Sequence, residues 1–511
     1  MDAAKPAGVP PLGLMQDWPL TTERFIEHAA KWYGTREIVS RREDGSIGRQ
    51  SYRDVRSLAA RLSNALRAYG IAPGDRVATL AMNGAEHVAA WYAISGIGSV
   101  CHTLNPRFSD EQNIYIINHA ADRVILADGA FAPILSRLLP HCPTVEHVVF
   151  NAPPAAGVSL PVAASSLQGF TAGHSGKCRW GGFDERTAAG LCYTSGTTGH
   201  PKGVLYSHRS NYLHTLHTIQ PDSLNIATRD VIMPVVPMYH ANAWGLTFSG
   251  PAVGAKMVMP GHRLDGPSIC NLIAEEGVTF SAGVPTVWLA VIQHMQQTGM
   301  QLPTLKRVIV GGATMPESVV RAFAEFGIEA IHAWGMTEMS PIGTVGGLPK
   351  GGESLPVDEQ VRLRLKQGRS TSAVDMRIVD EEGKPLPHDG RAMGSLQVRG
   401  GSVCARYYRA EAPAVTDDGY FDTGDIATID GDGFMLITDR AKDIIKSGGE
   451  FISSIDIENA ALTHPAVALA AVIATPNEKW GERPLLIVEL KEGQRASAED
   501  MIGHLAPRLP K

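Results

Sequence analysis

The segment Leu191-Cys-Tyr-Thr-Ser-Gly-Thr-Thr-Gly-His-Pro-Lys-Gly-Val204 gathers four hydroxyls (Thr194, Ser195, Thr197, Thr198), the glycines Gly196, Gly199 and Gly203, and one ammonium, Lys202, directly after an apolar strand. Glycines let backbone N–H groups converge, so such a loop can wrap phosphate oxygens. It is not the P-loop pattern, because Gly203 rather than Ser or Thr follows Lys202. Two further groups could act with it. Glu338 in Ala333-Trp-Gly-Met-Thr-Glu338 is a carboxylate that suits either a cation or a helix N-terminus. Asp425 and Arg440 offer an acceptor and a donor, or simply a surface ion pair.

Those residues need a scaffold, and the chain is long enough to supply one. At roughly 100 to 200 residues per domain, its 511 residues imply two or more domains, each with its own core. Charged residues at 19% and 53 glycines point to a loop-rich enzyme rather than a coiled coil. A balance of 46 Lys+Arg against 52 Asp+Glu leaves a charge of −6, which argues against nucleic acid as a partner. The six cysteines lie far apart with no CxxC pair, so neither a disulfide framework nor a zinc site is expected. The start, Met1 to Gly13, lacks the basic and apolar regions of a secretory signal, and no run reaches the roughly 18 apolar residues of a spanning helix. The expectation is a cytoplasmic protein without a transmembrane segment.

Apolar positions at helical spacing (Val55, Leu58, Leu62, Leu66) precede a strand at 76–81, a helix near 86–95 and strands at 123–127, 231–236, 256–259, 278–282, 307–310 and 329–332. Strands alternating with helices predict layered α/β subdomains. After about Pro341, short alternating segments at 376–379, 395–398 and 434–437 predict a small β-barrel-like subdomain. A helix at 454–462 and a strand at 467–473 open a last, smaller α+β unit.

The segment 191–204 resembles the signature loop of the adenylate-forming superfamily, which holds acyl-CoA synthetases, luciferases and adenylation domains. Three further blocks follow in the expected order: Ala333 to Glu338, Tyr420-Phe-Asp-Thr-Gly-Asp425, and Asp439-Arg-Ala-Lys-Asp-Ile-Ile-Lys-Ser-Gly-Gly-Glu450. The resemblance implies an α/β fold with a large ATP- and acid-binding adenylation domain, 1–441, and a swivelling C-terminal domain, 442–511, that is incomplete here. It implies a two-step reaction in which a carboxylic acid and ATP give acyl-AMP and pyrophosphate, and a thiol then displaces AMP. ATP, Mg²⁺ and CoA are the implied cofactors.

The same resemblance implies roles. Thr194 and Glu338 would hold the metal and Thr337 would bond the α-phosphate, while Thr194, Ser195, Gly196, Thr197, Thr198, Gly199 and Lys202 would surround the outer phosphates. Gly311, Gly312, Ala313, Thr314, Ala333, Trp334, Gly335 and Met336 would line the adenine slot and the acid pocket beside it. Asp425 and Arg440 would take the ribose. Val236-Pro-Met-Tyr-His-Ala-Asn-Ala-Trp244 is similar to the acid motif of fatty acyl-CoA synthetases, which would set His240 near the carboxylate and Trp244 as a gate, on one face if the segment is helical. Gly283-Val-Pro-Thr-Val-Trp288 resembles another wall of that pocket, with Val284 and Pro285. An apolar lining without a buried cation implies an uncharged acyl tail of medium length. Lys446, Ser447, Gly448, Gly449 and Glu450 would border the CoA arm, and Lys442 would be the hinge.

The end, Leu509-Pro-Lys511, does not match the Gly-Lys segment that carries the family's adenylation lysine. The 511 residues as written are therefore expected to bind nucleotide and acyl-AMP but to adenylate poorly. A non-catalytic ATP or acyl-adenylate binding protein, a ligase for a short thioether or aryl acid, and a carrier-protein acceptor stay open as alternatives. Related synthetases are often homodimers.

Overall fold

The computed structural model describes residues 13–154, 156–194, 200–440, 443, 445–447, 450–477, 481–506 and 508. Two large sheets form the frame. The first has seven strands in the order Ala163–Ser166, His147–Phe150, Val124–Ala127, Arg76–Leu80, Val100–Thr103, Ala188–Thr194 and Lys202–Ser207. All neighbours are parallel except the last pair. Its central strands are buried on both faces, as Val124–Ala127 shows, which is why they read as continuous apolar runs.

The second sheet has nine strands. Its parallel centre runs through Glu329–Gly335, Arg307–Val310, Phe280–Gly283, Val231–Pro234, Lys256–Met259 and Glu37–Arg41, with antiparallel strands at both margins. Between the sheets lies the helix Ala85–Gly96, with eleven of its twelve residues buried. A helix apolar all round belongs in an interior. Its neighbour Tyr52–Ala68 is amphipathic and begins at a capping box in which Ser51 accepts from Asp54 N–H and the Asp54 carboxylate accepts from Ser51 N–H.

From Val374 the chain builds a four-stranded antiparallel sheet, Val374–Val379, Gly394–Gly400, Phe421–Ile429 and Met435–Arg440, in simple sequential order. A second four-stranded sheet then begins with Ile445–Ser447, so the change of sheet falls between Arg440 and Ile445. The strand Glu450–Ile452, the ribbon Val467–Asn477 with Gly481–Leu490, and the helices Ser454–Leu462 and Ala498–Leu505 complete this last unit. It is tied back to the preceding sheet where Ser454 N–H donates to buried Asp439 and Ser453 Oγ–H donates to the Thr438 carbonyl. No helix among the described residues is long and apolar enough to cross a membrane.

Candidate active site

The carboxyl ends of parallel strands are where α/β sheets bind ligands, and here several such ends converge. A cavity of about 530 Å³ is lined from the strand ends Val235–Val236, Gly283–Val284, Gly311–Gly312 and Ala333–Thr337, and from the segment Tyr239–Trp244. His240, Trp244, Val284, Gly311, Gly312, Ala333, Trp334, Gly335, Met336 and Thr337 all line it. Pro285 does not. It is the buried first residue of the helix Pro285–Thr298, whose Thr286, Val287 and Ala290 face the cavity instead. Ala313 and Thr314 lie exposed beyond the strand Arg307–Val310 and outside the lining.

Thr337 and Glu338 sit on the short turn Thr337–Met339, which packs against the end of Ala188–Thr194. Tyr206 Oη–H donates to the Thr337 carbonyl at 2.8 Å and fixes the turn to the edge strand Lys202–Ser207. Glu338 is buried and accepts from Tyr407 Oη–H at 2.7 Å. Burial raises its pKa, and the Tyr407 bond with the nearby Lys202 and Arg440 charges offsets only part of that rise. Lys202 is exposed, opposite Thr194 in the strand register, with its ammonium 5.0 Å from the centre of the Tyr407 ring. Ser195, Gly196, Thr197, Thr198 and Gly199 lie outside the described residues.

Trp334 reaches out of the cavity wall to donate its indole N–H to Asp425 Oδ2 at 3.0 Å. Asp425 is buried, while Arg440, 2.9 Å from Oδ1, is largely exposed. Burial raises the Asp425 pKa, and Arg440 and the indole pull it back. The pair is joined across adjacent strands, Asp425 opposite Arg440 in register. Lys446 and Ser447 lie on the strand Ile445–Ser447, and Glu450 opens the strand Glu450–Ile452. Lys442, Gly448 and Gly449 lie outside the described residues.

One feature departs from the sequence reading, and one residue was no part of it. The segment after His240 is not a right-handed helix: Ala241 to Trp244 all have positive φ, so His240 and Trp244 reach the cavity from a left-handed turn rather than by i,i+4 spacing. The lining also carries a cation, though not a buried one. Arg107, three residues after buried Leu104 at the end of Val100–Thr103, is exposed at the cavity and is the one permanently charged residue in the lining among the described residues. The signal in the sequence was its place just past a strand's carboxyl end. The His240 ring opens onto the lumen, and its enclosure together with the Arg107 charge lowers its pKa to about 4. It is neutral at physiological pH.

The cavity thus has Thr337 and His240 in its lining, Asp425 behind Trp334, and a hydroxyl-bearing strand end packed against the turn that carries Glu338. Two family models match the chain. That of the AMP-binding enzyme matches residues 25–408, and that of the AMP-binding enzyme C-terminal domain matches 456–511. The chain belongs to the AMP-binding enzyme family. Within it, the chain lies in the acyl-CoA synthetase branch. It is 44% identical to the 3-methylmercaptopropionyl-CoA ligase of Ruegeria lacuscaerulensis over 98% of this chain and 93% of that protein. It is 44% identical to the medium-chain-fatty-acid–CoA ligase of Ectopseudomonas oleovorans over 98% of this chain and 92% of that protein. A solved anthranilate CoA ligase in complex with anthranoyl-AMP shares the fold, with a TM-score of 0.83 at 22% identity over 97% of this chain and 92% of the other.

Proposed function

We propose that this AMP-forming acyl-CoA synthetase takes a medium-chain monocarboxylic acid. The acid carboxylate attacks the α-phosphate of ATP, releasing pyrophosphate, and the CoA thiol then displaces AMP from the acyl-adenylate. The observation that carries the reading is one cavity whose lining combines polar Thr337, His240 and Arg107 with apolar Val235, Leu264, Val287 and Ala290. Apart from Arg107 no permanently charged residue lines the cavity among the described residues, which favours an uncharged tail.

Bringing a carboxylate to a polyphosphate costs about 4 kcal/mol per charge pair at 4 Å and an effective dielectric of 20. The chain offsets this with Lys202 and Arg440 near Glu338 and with Arg107 near His240. Neutral His240 donates a hydrogen bond to the acid carboxylate, which arrives already ionised and needs no base. Thr337 donates to the α-phosphate, and Asp425 accepts from the ribose hydroxyls. Glu338 and Thr194 together form an oxygen-only donor set, and the buried, pKa-raised carboxylate of Glu338 gains from a cation beside it. They would hold Mg²⁺, which supplies charge neutralisation of the phosphate oxygens. Ser447 and its neighbours would border the thiol's approach.

A short thioether acid is the second reading, favoured by the 44% identity to the 3-methylmercaptopropionyl-CoA ligase. The test is a panel of C4 to C16 acids with 3-(methylthio)propionate, each offered both with ATP, Mg²⁺ and CoA and as the ready-made acyl-AMP with CoA, with acyl-CoA detected by mass. Thioester yield should peak at medium chain length. A peak at the thioether acid selects the second reading, and thioester from neither route refutes both.

A further inference from the structure

The helix Asp110–Ala120 carries Tyr115 and His119 one turn apart, so both rings stand on one face. A capping box fixes its start: Ser109 Oγ accepts from Gln112 N–H, and the Gln112 side chain accepts from Ser109 N–H. That face meets the strand pair Ala188–Thr194 and Lys202–Ser207, whose last register pair is Thr194 with Lys202. His119 Nδ1 lies 2.6 Å from Tyr193 Oη. Burial raises the Tyr193 pKa, and burial with the Arg409 and His102 charges lowers that of His119. The phenol therefore keeps its proton and donates to a neutral ring.

Tyr115 lies between two imidazoles. It stacks on His119 with 5.3 Å between ring centres and on His200 with 4.3 Å, each 14° from parallel. Tyr193 directly precedes Thr194, and His200 stands two residues before Lys202. One helix face thus touches the chain beside both members of the register pair. The end of a ladder on an edge strand is where a sheet opens most easily, so these contacts act where they are needed.

The neighbours of the clamp are fixed in turn. The His102 ring lies 5.1 Å from that of Tyr193 and is bonded to Asp122 at 2.7 Å, with neither side chain of that pair exposed. His119 meets the Tyr408 ring edge-on at 5.5 Å, and Tyr408 N–H donates to the Gly203 carbonyl at 2.8 Å. A Cβ on Gly203 would stand 3.1 Å from both the Tyr193 ring and Tyr408 Cβ, so only glycine fits between them without a shift. Tyr115, His119, Tyr193 and His200 all lie outside the cavity lining.

We propose that His119 and Tyr115 are positioning residues for the adenylation step, clamping the strand ends through Tyr193 and His200 so that Thr194 and Lys202 face the outer phosphates of ATP together. The inference rests on the acid-ligase reading above. Its test is calorimetric titration of α,β-methylene-ATP with Mg²⁺, and of AMP, into wild type, Tyr193→Phe, His119→Phe, the double variant, His200→Ala and His200→Phe. Tyr193→Phe and His119→Phe each remove the bond and keep both rings. Each should weaken the ATP analogue about fivefold, the worth of one hydrogen bond, with AMP affinity within about twofold of wild type. The double variant should bind the analogue no more weakly than either single one, because both remove the same contact. His200→Ala should weaken the analogue about threefold, and His200→Phe, which keeps a ring on Tyr115, should restore it. A merely structural role would move AMP and the analogue alike. Analogue affinity unchanged in Tyr193→Phe, or lost in step with AMP affinity, overturns the inference even if His119→Phe fails to fold. Wild type that binds neither nucleotide overturns the ligase reading itself, and the clamp with it.

Discussion

Replacing Asp425 by Asn tests the ribose contact at nearly constant shape. The carboxylate sits buried between the Trp334 indole and Arg440, so it is a fixed acceptor rather than a solvated one. Hydrogen bonds to a charged acceptor are worth about 1.5–3 kcal/mol and neutral ones about 0.5–1.5, so two ribose hydroxyls lose about 2 kcal/mol together. Arg440 is more than half exposed, and its ion pair adds at most about 1 kcal/mol. The sum, about 2–3 kcal/mol, predicts AMP binding weakened roughly 30- to 150-fold. Calorimetric titration of AMP into wild type, Asp425→Asn and Asp422→Asn measures it. Asp422 is an exposed neighbour on the same strand that accepts from Gly424 N–H, so its variant should bind within about twofold of wild type. Because burial raises the Asp425 pKa, wild-type affinity should also fall as acid protonates that carboxylate, and Asp425→Asn should lack this fall. AMP binding by Asp425→Asn within about threefold of wild type would refute the assignment.

Glu338→Gln should remove most of the magnesium dependence of ATP binding while leaving AMP affinity unchanged; equal magnesium stimulation in variant and wild type counts against the metal role. Ala290→Phe should fill part of the cavity and shift selectivity to shorter acids by about tenfold per blocked methylene pair, read from the affinities of octanoyl-AMP and dodecanoyl-AMP sulfamate analogues. A third concerns pH and the joint between the two large sheets, where His262 Nε2 meets Asp128 at 2.8 Å with Glu43 nearby. Burial alone would lower the His262 pKa, but the Asp128 bond and both carboxylate charges outweigh it and the net shift is upward. A raised folded-state pKa stabilises below the unfolded value near about 6.5 and is lost as pH rises through the folded value. His262→Gln should therefore melt below wild type at pH 5.5, by about 1 kcal/mol of stability, with the gap closing by pH 9. A gap that widens with pH would contradict the sign.

Much of the frame was legible because parallel strands buried on both faces announce themselves as apolar runs. The strands Lys256–Met259 and Arg307–Val310 fall where the residues place them, and the inner helix was visible as an apolar stretch near Glu86. Of the site, the sequence places Thr337 and Glu338 just past a strand, where the turn Thr337–Met339 follows Glu329–Gly335, while Asp425 lies within the strand Phe421–Ile429 and meets Trp334 only through packing. The handedness after His240 was not, because four-residue spacing looks the same for either hand and the left-handed turn is imposed by Trp91 and His214, remote in sequence. Arg107 was missed because a single arginine after Asn105-Pro106 carries no period, and only the packing brings it beside His240.

The most direct measurement is a crystal structure with the octanoyl-AMP sulfamate bound. The account predicts the ribose hydroxyls on Asp425, the phosphate mimic at Thr337, and the octanoyl tail running past Trp244 along Val287 and Ala290. An analogue whose tail lies outside that cavity, or whose ribose leaves Asp425 paired only with Trp334 and Arg440, would contradict it.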